Sequence, residues 1–131
     1  MRYTIDTMPT KSVLVVEDSP YLAESLADML NIKGYEPILA PNGREGVELA
    51  LDRHPDLILL DIRLPDIDGY EVYRRIRESD WGNKAKVMIL TASESIGNIS
   101  KNIDLPKEYI LFKPEWSVMD LMEKIDSILQ D

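Results

Sequence analysis

Three short runs of apolar residues limit the folds open to this chain more than any other feature. Ser12-Val13-Leu14-Val15-Val16, Leu57-Ile58-Leu59-Leu60 and Val87-Met88-Ile89-Leu90 show no alternation of apolar with polar positions. A strand with one wet face alternates, whereas a strand apolar on both faces belongs inside a parallel sheet with helices on either side. The runs are too short for core helices and rich in β-branched residues, which favours strands. Two further segments complete the set. Tyr35 to Ala40 reads as a strand but contains Pro37, which cannot donate to a ladder, so it belongs at a sheet edge. Tyr109-Ile110-Leu111-Phe112-Lys113 is the last strand.

Helical signals fall between the strands. Ser19-Pro20 gives a cap followed by a first-turn proline, and Leu22, Leu26, Met29 and Leu30 form one stripe that ends at Lys33-Gly34. Asn42 with Glu45 resembles a capping box and opens a helix closed by His54-Pro55. After a loop rich in Pro, Asp and Gly over 62–69, Tyr70, Val72, Tyr73 and Ile76 mark a third helix with Arg74, Arg75 and Arg77 near its end. Ser117 with Asp120 opens a final amphipathic helix through Leu129. Residues 93–107 hold Gly97, Asn98, Ser100, Asn102 and Pro106, poor helix formers, so any helix there is expected to be short.

Strand and helix thus alternate five times within 131 residues, a length suited to one domain. The expected fold is α/β: a doubly wound, flavodoxin-like three-layer sandwich. Its five-stranded parallel sheet takes the order 2-1-3-4-5, and the proline-bearing second strand lies at an edge. Residues 1–11 read as a polar lead-in and 12–131 as the folded domain.

Charge narrows the functions available. Twenty-four acidic against 15 basic residues give a net charge of −9, which at long range repels a nucleic-acid backbone or an anionic membrane surface. The absence of cysteine removes disulfides, thiolate metal sites and cysteine nucleophiles, and is compatible with a reducing cytoplasm. No segment has the roughly 20 apolar residues of a spanning helix. A soluble, cytoplasmic protein is expected. His54 reads as a surface histidine, and Trp81 and Trp116 read as loop anchors.

The polar residues that end the strands carry the chemistry. Glu17 and Asp18 follow the first, Asp61 the third, Thr91 the fourth and Lys113 the fifth. In a doubly wound sheet, the carboxyl ends of the strands form the binding crevice. Taken singly, each residue has a plainer reading: Asp18 as a helix cap, Thr91 bonded to its own backbone, Lys113 at the surface. Those plainer readings do not predict complementary groups from four strands on one rim. Three carboxylates there call for a cation, and oxygen donors without sulfur or imidazole select Mg²⁺ or Mn²⁺. Lys113 adds a positive charge and Thr91 a hydroxyl, a set able to cradle a phosphoryl group. Asp61, ending the central strand, is the candidate nucleophile.

The motifs Val-Leu-Val-Val-Glu17-Asp18, Leu-Ile-Leu-Leu-Asp61-Ile-Arg-Leu-Pro65-Asp-Ile-Asp-Gly69, Ile-Leu-Thr91-Ala92 and Phe-Lys113-Pro114 closely resemble those of response-regulator receiver domains. The resemblance runs from about Ser12 to the C-terminus. It implies that Asp61 takes a phosphoryl group from a histidine kinase or phosphotransfer protein. By the same resemblance, Asp18 and Asp61 ligate Mg²⁺ with the Arg63 backbone carbonyl, and Glu17 acts through water. Thr91 and Lys113 grip the phosphoryl oxygens, with Thr91 moving inward as a switch. The implied protein is a phosphorylation-controlled signalling module of a two-component system, not an enzyme with substrate turnover. It is a monomer or phosphorylation-dependent dimer acting on a downstream protein.

Some positions depart from the family pattern. Ile110 stands where receivers usually carry an aromatic switch residue, and Tyr109, one place earlier, should face the other side of its strand. Asp104-Leu105-Pro106 replaces a small-residue pair, and Arg63 and Ser93 occupy positions that tune phosphoryl lifetime. The same sequence would also suit a receiver belonging to a larger regulator or hybrid kinase. Two readings of other classes rank lower. A phosphotransferase turning over through an aspartyl phosphate usually needs an acid where Arg63 stands, and a flavodoxin-like cofactor binder would have its phosphate repelled by Glu17-Asp18.

Overall fold

The computed structural model describes residues 10–92, 96–106, 109–115 and 117–130. Most of the lead-in (residues 1–9), Ser93 and Trp116 lie outside them. The five strands are β1 (Ser12–Val16), β2 (Glu36–Ala40), β3 (Leu57–Asp61), β4 (Val87–Thr91) and β5 (Ile110–Phe112). The helices between and after them are α1 (Pro20–Ile32), α2 (Gly43–Arg53), α3 (Gly69–Arg77), α4 (Ile96–Asn102) and α5 (Val118–Leu129).

All strand pairs are parallel, in the order β2-β1-β3-β4-β5. Pro37 lies in edge strand β2 opposite Val13, where one side of the strand has no ladder to feed. Period-two alternation sends Leu14, Val16, Ile58, Leu60 and Ile89 to one face, in a core with α2, α3 and α4 residues. Val13, Val15, Leu57, Leu59, Met88 and Leu90 go to the other, with Leu26 and Leu30 of α1 and Leu121, Met122, Ile125 and Leu129 of α5. The uninterrupted apolar runs therefore follow from two helical layers on one sheet.

Caps fix where the helices begin. Ser19, Asn42, Asp68 and Ser117 each accept from a backbone N–H in the first turn of the following helix. At α5 the capping box is complete, with Ser117 and Asp120 bonded reciprocally. At α2 the expected box is altered: Asn42 accepts from Glu45 N, while Glu45 Oε2 accepts from the Asn42 side-chain amide and not from its backbone. Gly34 after α1 has φ +90, the left-handed conformation a helix-ending glycine supplies. α4 does form, but with 7 residues it is the shortest α-helix described, as its composition predicts.

Candidate functional site

Among the described residues, the buried polar or charged side chains are Glu17, Asp61 and Thr91. All three stand at the carboxyl end of the sheet. The parallel register explains their proximity. Val16 pairs with Leu60, so Glu17 and Asp61 each lie one step further along adjacent strands. Asp61 pairs with Leu90, which places Thr91 next, and Thr91 pairs with Phe112, the residue before Lys113. The rim expected from the sequence is therefore assembled by strand register alone.

Carboxylate oxygens of Glu17, Asp18 and Asp61 lie within 4.8 Å of one another. Asp18 is exposed, whereas Glu17 and Asp61 are 5% and 6% exposed. Lys113 Nζ lies 2.7 Å from Glu17 Oε1 and 3.1 Å from Asp61 Oδ2. The Ser19 backbone N–H donates to Glu17 Oε2 at 3.0 Å, and the Arg63 N–H donates to Asp61 Oδ1 at 3.2 Å. Burial pushes the Glu17 carboxyl above its ordinary pKa, outweighing the hydrogen bond from Lys113. Burial works the other way on Lys113, but Glu17 and Asp61 overcome it and hold the ammonium above its ordinary pKa. Glu17 and Lys113 thus sustain each other in a partly dry place.

With all four groups ionised, three carboxylates face one ammonium, leaving two negative charges uncompensated. The donors are all carboxylate oxygens, with exposed Asp18 keeping one side open to water. That set fits a small hard divalent cation which retains part of its hydration shell.

Sequence reasoning passed over the braces beneath this rim. Asp66 accepts from the N–H groups of Gly43 and Arg44 at 2.7 and 2.9 Å, tying the loop after Asp61 to the first turn of α2. Those bonds hold the Asp66 carboxyl below its ordinary pKa despite the opposing effect of desolvation. Gly69 is also constrained: a Cβ there would stand 2.5 Å from Asp61 O and 2.7 Å from Ile62 Cα. A glycine opening a predicted helix is a signal that could have found Gly69, whereas nothing local marks the pairing of Asp66 with α2, 22 and 23 residues away.

At the far end of β4 and β5, Ile110 is 2% exposed and belongs to the core cluster that includes Tyr73, Ile89, Ile99 and Ile103. Tyr109 faces the α5 side, with Lys124 Nζ 6.0 Å from its ring centroid. The two residues therefore point to opposite faces, as their spacing requires. His54 is exposed, ends α2 at φ 48, and stacks on Trp81 with ring centroids 4.6 Å apart.

Residues 13–126 match the response regulator receiver domain family. This chain belongs to that family. The polar-differentiation response regulator DivK of Brucella ovis is 35% identical over 122 residues, covering 93% of this chain and 98% of DivK. The response regulator MprA of Mycolicibacterium vanbaalenii is 32% identical over 123 residues, 94% of this chain, which spans only 52% of MprA. Among solved structures, the receiver domain of sensor histidine kinase PA1611 from Pseudomonas aeruginosa superposes with TM-score 0.81 at 28% identity. The match covers 94% of this chain and 100% of that one. That structure has a magnesium ion coordinated in its active-site cleft.

The chain is therefore the receiver domain of a response regulator in two-component signalling. Receivers of this kind are signalling proteins that bind Mg²⁺ in an acidic site and interact with histidine kinases and downstream targets. The phosphotransferase and cofactor-binder readings are not favoured. Among the described residues, no helix is long and apolar enough to cross a membrane.

Proposed function

We propose that Asp61 is the phosphoacceptor and that Glu17, Asp18, Asp61 and the Arg63 backbone carbonyl hold Mg²⁺, for which Mn²⁺ can substitute. A carboxylate oxygen of Asp61 attacks the phosphorus of a phosphohistidine on a partner kinase or phosphotransfer protein. The P–N bond breaks, and the imidazole nitrogen leaves with its electron pair and takes up a proton. The bound cation supplies positive charge against the phosphoryl oxygens. Lys113 gives up part of its contact with Glu17 and Asp61 to bind a phosphoryl oxygen, and the Thr91 hydroxyl donates to another. The new group then shifts the population of receiver conformations and so the affinity for a downstream protein. The module comprises residues 12–131, follows a lead-in of residues 1–11, and works in the cytoplasm as a monomer or a phosphorylation-dependent dimer. It has no turnover on an external substrate beyond slow loss of its own phosphoryl group.

One observation carries this reading: Asp61 is a nearly buried carboxylate held by Lys113 beside two further carboxylates. The test is incubation with Mg²⁺ and acetyl phosphate followed by intact mass measurement. One added phosphoryl group is expected on wild type and none on Asp61→Ala. An unmodified wild type, or an equal adduct on the variant, overturns the assignment.

A further inference from the structure

A second cavity opens at the other end of the sheet. It is lined by the first residues of β3 and β4, Leu57 and Val87, and by Tyr109, just before β5, with Arg77, Lys86 and Lys124 among its walls. Its volume is about 510 Å³, within the range of small-molecule sites. Leu57 to Asp61 spans four residue steps, so this cavity lies roughly 13 Å from the acidic rim along the strand.

The cations at this cavity stand apart from those held in ion pairs elsewhere in this acidic protein. Lys33, Arg44, Arg53, Arg74, Arg75 and Lys113 all pair with carboxylates. Arg77, Lys86 and Lys124 pair with none among the described residues. Lys86 Nζ donates to Ile128 O at 3.2 Å, and Lys124 stands over the Tyr109 ring. Arg77 is held by neutral acceptors: its Nε donates to Tyr73 OH, and its Nη1 to Gly82 O and Ala85 O at 2.8 and 2.7 Å. These bonds use three of its five donors, so the guanidinium is fixed in place with two N–H groups on Nη2 to spare among the described residues. Three positive charges at one concave, partly apolar site focus a positive potential that the net charge of −9 would otherwise mask.

We propose that this cavity is a binding site for a nucleotide: an organic polyanion with phosphates for Arg77, Lys86 and Lys124 and a flat apolar body. The body would lie against Tyr109 and the half-buried Leu105 and Ile128 of the cavity wall. A bare phosphate would leave those apolar side chains uncovered, and an uncharged ring would leave the cations unmatched. The site is independent of Asp61, so binding should be the same whether or not the phosphoacceptor assignment holds.

The test is amide NMR titration of the full chain without Mg²⁺, using ADP, adenosine, inorganic pyrophosphate and a Glu-rich peptide as separate probes. ADP should shift amides of Lys86, Val87, Tyr109 and Lys124, leave those around Asp61 in place, and bind Asp61→Asn equally well. Lys86→Ala/Lys124→Ala, checked for native dispersion of its spectrum, should weaken ADP binding by about tenfold or more. Lys86→Arg/Lys124→Arg should keep most of it. The assignment is overturned if ADP produces no localised shifts at millimolar concentration, or if the Ala pair leaves its affinity unchanged. Adenosine or pyrophosphate binding as tightly as ADP, or the acidic peptide binding more tightly, also overturns it.

Discussion

Lys113 Nζ lies 2.7 Å from Glu17 Oε1, an ion pair whose carboxylate side chain is only 4% exposed. The same ammonium reaches Asp61, so one cation holds two buried acids together. Lys113→Met should therefore lower stability in metal-free buffer by about 2–4 kcal/mol, because a buried carboxylate loses its partner. Adding Glu17→Gln to that variant should recover part of the loss, and the non-additivity measures the pair. Urea denaturation of the four proteins of the cycle checks this. Additive losses would mean the contact contributes nothing to stability.

The uncompensated acids at the rim imply metal linkage. Asp18→Asn and Asp61→Asn each remove one of three crowded carboxylates, so both should melt higher than wild type in EDTA. Magnesium should reverse the ranking, because wild type gains about 2.7 kcal/mol when the ion is a hundredfold above Kd. Thermal melts with and without Mg²⁺ read both effects. Equal magnesium-induced shifts in all three proteins would show that these carboxylates do not hold the ion.

Gly69 opens α3 where a methyl group would press on the Asp61 carbonyl oxygen and Ile62 Cα, both backbone atoms. Gly69→Ala should destabilise by about 1–3 kcal/mol, since neither contact yields by a side-chain rotation. It should also slow phosphorylation by acetyl phosphate, because the displaced atoms belong to the strand end that aims Asp61. A variant that is less stable yet phosphorylated at the wild-type rate would separate the two roles.

How far the sequence revealed these features depends on the range of the interaction. The five strands were legible because helices on both faces impose unbroken apolar runs, and Pro37 marked the edge. Glu17, Asp61, Thr91 and Lys113 were legible as a set because each follows such a run. The Asp66 brace was not, since its partners Gly43 and Arg44 lie 23 and 22 residues away, and no local pattern encodes that pairing. The cavity beneath the sheet was hidden for the same reason. Arg77, Lys86 and Lys124 look like ordinary surface charges until the fold brings them to one cavity, with no carboxylate paired to them among the described residues.

A cluster away from the acidic site sets two pH windows. Asp126 accepts from Lys33 at 2.8 Å and from Tyr35 OH at 2.5 Å, which hold its carboxyl below the ordinary 3.8. Its contribution to stability is therefore full above about pH 4 and is lost as pH falls through the lowered value. Tyr35 moves the other way: burial and Asp126 raise its phenol above 10.0, so its contribution is lost as pH rises through the raised value. Asp126→Asn should cost about 0.5–1 kcal/mol at pH 7, discounted for partial exposure. The gap from wild type should close in strong acid. Urea midpoints between pH 2 and pH 7 would test the sign, and a gap that widens on acidification would refute it.

Ile110 fills the place where an aromatic residue was expected, and its burial at 2% shows a site already closed around a smaller side chain. Introducing Ile110→Tyr should therefore destabilise by about 1–3 kcal/mol, because the ring must displace members of the Tyr73, Ile89, Ile99 and Ile103 cluster. Tyr109→Phe should be nearly neutral, since the Tyr109 ring meets Lys124 on the opposite side and Phe keeps that ring. The two variants also separate possible routes for the signal. If Tyr109 stood in for the missing aromatic, Tyr109→Leu would abolish the effect of phosphorylation on amides of α4 and β5. With the two residues facing opposite layers, Tyr109→Leu should leave that response intact. Amide NMR of the phosphorylated and unphosphorylated variants distinguishes the outcomes, and loss of the response in Tyr109→Leu would make Tyr109 the switch after all.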